Sequence, residues 1–296
     1  MTRIQANLLL ILIAMIWGSA FVAQSWGMAH LGPMTFTGVR FLIGALVVLP
    51  FMPREWHHRN VSGQPLRAAD GLKVLSMGVL LLAGAALQQI GIVSTSVTNA
   101  AFLTALYVPL VPLLGWLLWR HWPHWSTWPS ALACLAGAYL LSGAQGWTIG
   151  RGDLWVIASS LPWALHVLLV GRVANQLDAP FLVAGGQFVV CGVLALIWAL
   201  ALEPISWSAL QSATGSLLYT GVFSVGIAFT AQVVAQRYAH AADAAIVLSS
   251  ETLFAALFGY MWMGDRLTPS GIIGCVLIFL SMLSVQVVPL MARIRR

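Results

Sequence analysis

Gly78-Val79-Leu80 opens an apolar run that closes on Gln89, and Gly221-Val222-Phe223 opens a second that closes on Gln232. The two stretches agree in length, in their leading Gly-Val and in their terminal amide. Working outward, Trp17-Gly18-Ser19-Ala20-Phe21 has a counterpart in Trp163-Ala164-Leu165-His166-Val167, and Arg40-Phe41 in Gln187-Phe188. Trp128-Pro129-Ser130 matches Thr268-Pro269-Ser270. The matches are collinear, and their offset drifts only where connecting segments differ. The chain therefore reads as two copies of one unit, residues 1–146 and 147–296, and internal repetition constrains a fold before any local motif does.

Composition says what those units are made of. Of 296 residues, 60% are hydrophobic and only 7% are charged, where a soluble domain carries about 25% charged residues. Mean hydropathy is +0.89. So few charges cannot cover the surface of a water-soluble protein, and a disordered chain needs the opposite composition. With 27 Gly, which lipid-embedded helices tolerate, the sequence predicts an all-α polytopic membrane protein. The net charge of +6 does not point to nucleic acid, because Lys and Arg sit singly between apolar runs rather than on one face. Cys134, Cys191 and Cys275 all fall inside apolar runs without CxxC spacing or a nearby His, so they read as packing residues, with no metal or disulfide role.

A spanning helix needs about 20 apolar residues. Ten runs qualify: 6–27, 33–52, 71–92, 97–119, 127–143, 153–171, 180–200, 214–236, 243–263 and 268–290. The first resembles a signal peptide, with Arg3, an apolar core and Gly18-Ser19-Ala20. Its counterpart around Trp163 argues that it is a retained span instead. With the N-terminus on the cytoplasmic side, Arg3, Arg54, Arg59, Arg67, Lys73, Arg120, Arg172, Arg237, Arg293, Arg295 and Arg296 are inside, and only Arg151 and Arg266 are outside. That bias follows the positive-inside rule and places both termini in the cytoplasm; the membrane expected is a bacterial inner membrane. Each unit has five spans, an odd number, so the second must enter the membrane in the opposite sense. Two inverted five-helix repeats put a substrate site near the membrane midplane and alternate access by rocking one repeat against the other.

Ionisable groups inside a membrane are costly, roughly 2.5–3.5 kcal/mol on insertion scales, and face a partner or a cavity. Arg40, His166 and Glu251 are the candidates. Arg40 can meet a substrate carboxylate through its planar fork or serve as a structural cation bonded to backbone carbonyls. Glu251 can bind an ammonium group or carry a coupling proton; alternatively it partners Arg40 or backbone donors. His166, three residues after Trp163, shares its helical face and either lines the site or bonds a neighbouring helix. Most of the 14 Trp fall near span ends as interfacial anchors, among them Trp26, Trp56, Trp122, Trp125, Trp147, Trp155, Trp198, Trp207 and Trp262. Trp17 and Trp163 are mid-span and symmetry-related, and two facing indoles would suit an apolar or aromatic substrate. Gln89 and Gln232 form a second symmetric pair, able to bridge helices or bond a polar substrate. Gln187, standing where the first repeat has Arg40, makes the cavity unequal. Tyr107 and Tyr219 read more as core. Pro109 and Pro112 are expected to interrupt span four, and Pro162 span six, each removing a ladder bond. Ala133 with Gly137, and Ser270 with Gly274, suit close packing of spans five and ten.

These residues resemble a known family. Ile16-Trp17-Gly18-Ser19-Ala20-Phe21, Val39 through Leu46, Leu248 through Tyr260 and Gly264-Asp265-Arg266-Leu267-Thr268 are similar to the drug/metabolite transporter superfamily, in its ten-span form with two EamA-type repeats. The resemblance runs over nearly the whole chain. It departs from the family pattern where Thr252 and Asp265 stand for the usual Pro and Glu, and loss of that proline predicts a straighter ninth span. The resemblance implies a secondary transporter without cofactor, exporting small metabolites such as amino acids, as the YddG-like aromatic amino-acid exporters do. The binding set expected is Trp17, Arg40, Gln89, Trp163, His166, Gln187, Gln232 and Glu251, in a monomer whose partners are substrate and lipid. A membrane enzyme is the competing class. It lacks support from any HExxH, GxSxG or phosphate-loop motif. A sensor or scaffold would call for a soluble domain that the chain has no room for.

Overall fold

The computed structural model describes residues 1–120, 122–141, 149–264 and 268–294. Trp147, Asp265, Arg266, Arg295, Arg296, the end of the fifth expected span and the boundary between residues 146 and 147 lie outside the described residues. The regular structure among the described residues is all helical. Eight helices among them are long and apolar enough to cross a membrane: α1 (Arg3–Met28), α2 (Pro33–Val61), α3 (Ala68–Ile92), α4 (Val97–Trp119), α6 (Arg151–Leu177), α7 (Pro180–Leu202), α8 (Thr214–Ala235) and α9 (Ala241–Met263). Two further apolar helices, α5 (Thr127–Leu141) and α10 (Pro269–Ile294), take the places of the fifth and tenth spans. Leu8, Leu46, Leu117, Leu132, Leu200, Ile272 and Phe279 point outward and exposed, as helices surrounded by lipid require.

The packing is symmetric on exchange of the two sets of five. Helix α1 packs on α8 and α9 as α6 packs on α3 and α4; α2 packs on α8 as α7 packs on α3. The pairs α2/α7 and α5/α10 map onto themselves. Small residues make the contacts possible. A Cβ at Gly137 would stand 2.7 Å from the carbonyl oxygen of Gly274, and one at Gly274 only 2.3 Å from that of Gly137. The small-residue spacing read in spans five and ten is thus a backbone-to-backbone contact.

The symmetry extends to the helix ends. Helix α2 starts at Pro33 without a side-chain cap of its own. Glu203, beyond the end of α7, fills that role: one carboxylate oxygen accepts from the Met34 amide at 2.8 Å, the other from the Thr35 amide at 2.8 Å and the Thr35 hydroxyl at 2.7 Å. Reciprocally, Glu55 of α2 accepts from the Leu182 amide, in the first turn of α7, at 2.7 Å. Each carboxylate satisfies orphan donors and sits at the positive end of a helix dipole. Removing Glu203 with Ala strands two amides, and the folded protein should lose about 1–3 kcal/mol, read as a lower melting temperature in detergent.

Four helices depart from regularity. In α2 a short 3-10 turn, Leu49–Phe51, carries Pro50 between Pro33–Val48 and Met52–Val61. The interruption of α4 falls at Ala105 and Leu106, between Val97–Thr104 and Tyr107–Trp119. It is the carbonyl of Ala105, four residues back, that the Pro109 ring opposes. The expected interruption at Pro162 is not found; α6 runs through it from Arg151 to Leu177. The expectation of a straighter ninth span is also corrected. Helix α9 is broken between Ala241–Leu248 and Glu251–Met263, with no proline involved. Ser249, Ser250 and Thr252 each turn a hydroxyl back to a carbonyl three residues earlier, Ile246, Val247 and Ser249 respectively, at 2.7, 2.7 and 2.8 Å. Back-bonding hydroxyls compete with the helical ladder, so they do at this point what proline does in the family pattern. In α8, Thr220–Phe229 forms ten residues of π-helix, a geometry that is rare and concentrates at functional sites.

Candidate functional site

The irregular helices meet at the centre of the bundle. Helix α1 contributes Trp17, Phe21 and Gln24, spaced i, i+4 and i+7 and therefore on one face. Helix α6 contributes Trp163, His166 and Val167, and α8 contributes Ser224, Phe229 and Gln232. Arg40 comes from α2, Gln88 from α3, Thr104 and Tyr107 from the two sides of the α4 break, and Glu251 from the residue after the α9 break. Together they line a narrow cavity, with about 50 Å³ open to the centre of a water-sized sphere.

Six of the expected site residues line this cavity: Trp17, Arg40, Trp163, His166, Gln232 and Glu251. Gln89 and Gln187 do not. Gln89 is fully buried, with neither amide atom bonded to protein; it is the preceding residue, Gln88, that reaches the cavity, donating to Thr104 at 2.9 Å. One position along an α-helix turns the side chain by about 100°, enough to exchange which amide faces inward. Gln187 instead stands behind His166, its Oε1 2.8 Å from the imidazole Nε2. Tyr107, read as core, lines the cavity and donates to the Ala245 carbonyl at 3.3 Å. Tyr219 does not line it; its hydroxyl lies 2.5 Å from that of Ser19, whose own proton is directed to the Ile16 carbonyl at 2.8 Å.

The two indoles do not face each other directly. Phe229 is wedged between them, its ring centroid 4.6 Å from that of Trp17 and 6.0 Å from that of Trp163, stacked within 16° of the latter. His166 meets both Trp163 and Phe229 edge-on at 6.0 and 6.2 Å. The indole N–H of Trp17 donates to the carbonyl of Ser224 at 3.1 Å, inside the π-helical segment. The Trp163 N–H has no partner in the protein. Also unpartnered are Arg40 Nε, His166 Nδ1 and Gln232 Oε1. Buried polar atoms without partners are rare in native proteins and call for an explanation. Four of them belong to residues that line this one cavity.

Charge is arranged as sparingly. Arg40 is 4% exposed and Glu251 5%. Among the described residues neither forms an ion pair; the ion pairs there are Arg3–Asp243 at 2.8 Å, Lys73–Asp70 at 3.0 Å and Arg237–Asp178, all near helix ends. The Arg40 guanidinium lies 5.6 and 5.2 Å from the ring centroids of Phe36 and Phe41 and donates from Nη1 to Gln24 Oε1 at 2.6 Å. A buried guanidinium and a buried carboxyl group therefore line the same space without forming an ion pair. Nothing among the described residues groups His, Cys, Asp and Glu as a metal site would.

Two helical repeats packed around a central cavity are the architecture of secondary transporters. Comparison with known proteins agrees: residues 4–143 and 150–286 match the EamA-like transporter family, and the chain belongs to that family. A transporter of Archaeoglobus fulgidus, described as uncharacterized, is 30% identical over 96% of this chain and 86% of its own length. A Bacillus subtilis protein described as the uncharacterized transporter YwfM is 24% identical over 96% of this chain and 94% of its own. A chain of known crystal structure, 19% identical, superposes with a TM-score of 0.78 over 97% of this chain and 98% of the other, a likeness of fold. The protein is a multi-pass integral membrane transporter and not an enzyme.

Proposed function

We propose that the protein exports amino acids, aromatic or otherwise apolar in side chain, from the cytoplasm across a bacterial cytoplasmic membrane. The observation that carries this reading is the pair Arg40 and Glu251, one basic and one acidic side chain buried in the same cavity and paired with nothing charged. A zwitterion presents the complementary charges: its carboxylate to the guanidinium fork, its ammonium group to the carboxylate. Trp17, Phe229 and Trp163 form the apolar wall for the side chain, and Trp163 Nε1 and Gln232 Oε1 offer a donor and an acceptor. The breaks in α4 and α9, at symmetry-related places beside the cavity, let the end of each helix tilt independently, which supports alternating access between the two repeats. Both termini face the cytoplasm in this reading, and the monomer holds the complete site.

Purified protein in liposomes should move labelled phenylalanine or leucine across the bilayer. Trp163→Ala and Gln232→Ala should each slow that flux about three- to tenfold, the worth of one hydrogen bond, at equal amounts of inserted protein. Unchanged flux in both variants removes those residues from the site; no flux for any amino acid by the unaltered protein overturns the substrate class.

A further inference from the structure

We propose that Gln24 is a positioning residue for the anion-binding edge of the cavity, and that its being an amide rather than an acid leaves the charge of Arg40 available to a carboxylate ligand. This rests on the reading of Arg40 as a ligand-binding cation.

The hydrogen-bond chemistry fixes both ends of the Gln24 side chain. A guanidinium offers donors only, so the amide oxygen must face it, as it does at 2.6 Å from Arg40 Nη1. The amide nitrogen then points back along α1 and donates to the Ala20 carbonyl at 3.1 Å. Unlike Gln89, Gln187, Gln232 and Gln236, Gln24 has no amide atom left without a partner. A side chain that must accept at one end and donate at the other excludes Glu, Leu and Met. Gln24 is 5% exposed and borders the cavity together with Arg40. It pins one arm of the fork to α1, seven residues from Trp17 on the same face. On the rest of the guanidinium, Nε is buried without a protein partner, and the rings of Phe36 and Phe41 lie 5.6 and 5.2 Å from the central carbon. A carboxylate at position 24 would hold the same place but neutralise the cation at close range.

The test uses the full-length protein in lipid nanodiscs and three probes: benzoate, phenylethylamine and phenylalanine. Benzoate reports the carboxylate contact alone, and phenylethylamine the rest of the site without it. Gln24→Glu should weaken benzoate and phenylalanine about 10- to 100-fold and leave phenylethylamine unchanged or tighter. Gln24→Leu, which frees the fork without neutralising it, should weaken benzoate by about tenfold or less. A role in folding alone would shift all three probes together or none. Equal losses for all three probes in Gln24→Glu, or undiminished benzoate binding, overturn the proposal. So does failure of the unaltered protein to bind benzoate. Binding of benzoate but not of phenylalanine by the unaltered protein would instead overturn the amino-acid reading and leave the role of Gln24 standing.

Discussion

Arg40→Met should fold, insert and lose its ligand. Burying a guanidinium costs several kcal/mol, which neutral partners do not return in full. Here the partners are one amide and two phenyl rings. Methionine keeps much of the length and removes the charge. What is lost in the empty protein is one acceptor's bond at Gln24, about 1–3 kcal/mol, and the contacts over Phe36 and Phe41, about 0.5–2 kcal/mol. Those losses are of the same order as the relief of desolvation, so the melting temperature should stay near that of the unaltered protein. The ligand has no such compensation. A charge-assisted contact is worth about 1.5–3 kcal/mol, so the affinity for a carboxylate should fall about 10- to 150-fold, measured by liposome flux and by ligand-induced stabilisation. An Arg40→Met protein that melts early and does not accumulate would show that the cation serves the fold.

Gly274→Leu should have the opposite profile, a damaged fold around an unaltered cavity. The added Cβ would stand 2.3 Å from the Gly137 carbonyl oxygen and 2.8 Å from the Leu141 amide nitrogen. Both are backbone atoms in a helix, so no rotamer change relieves the contact; α5 and α10 must separate. Overpacking costs typically 1–3 kcal/mol and more where nothing can yield, and the remaining three side-chain carbons deepen the clash. The expected results are a loss of monodisperse protein in detergent and a melting temperature well below that of the unaltered chain. None of the cavity residues lies on α5 or α10, so any folded fraction should bind its ligand normally. A Gly274→Leu protein as stable as the unaltered one would contradict the close approach of the two helices.

The apolar runs located the spans because length and composition decide them, and the matched pairs Trp17/Trp163 and Gly78/Gly221 carried the repeat. The charged residues that line the cavity, Arg40 and Glu251, were legible for the same reason: a membrane interior makes every ionisable group conspicuous. What escaped was rotational phase. Helices that are apolar all round give periodicity no face to report, so Gln89 could not be told from Gln88. Phe229 could not be recognised as the wedge between the two indoles, because one more phenylalanine among 12 carries no signal. The break in α9 was hidden differently. Proline was the expected agent, whereas the hydroxyls of Ser249, Ser250 and Thr252 act through local bonds that composition does not weigh. Gln24 did leave a trace, its i+7 spacing from Trp17, which gains meaning only once Trp17 is known to face the cavity.

The reciprocal caps at Glu203 and Glu55 bear on how the protein is made. Helix α2 emerges early in synthesis with its first amides unsatisfied, and the carboxylate that closes them is translated some 170 residues later, the separation of Met34 and Glu203. The second repeat is in the same position in reverse, since the start of α7 is completed by Glu55. Each repeat thus supplies a cap for the other, and neither has its helix ends closed by protein until both have been made.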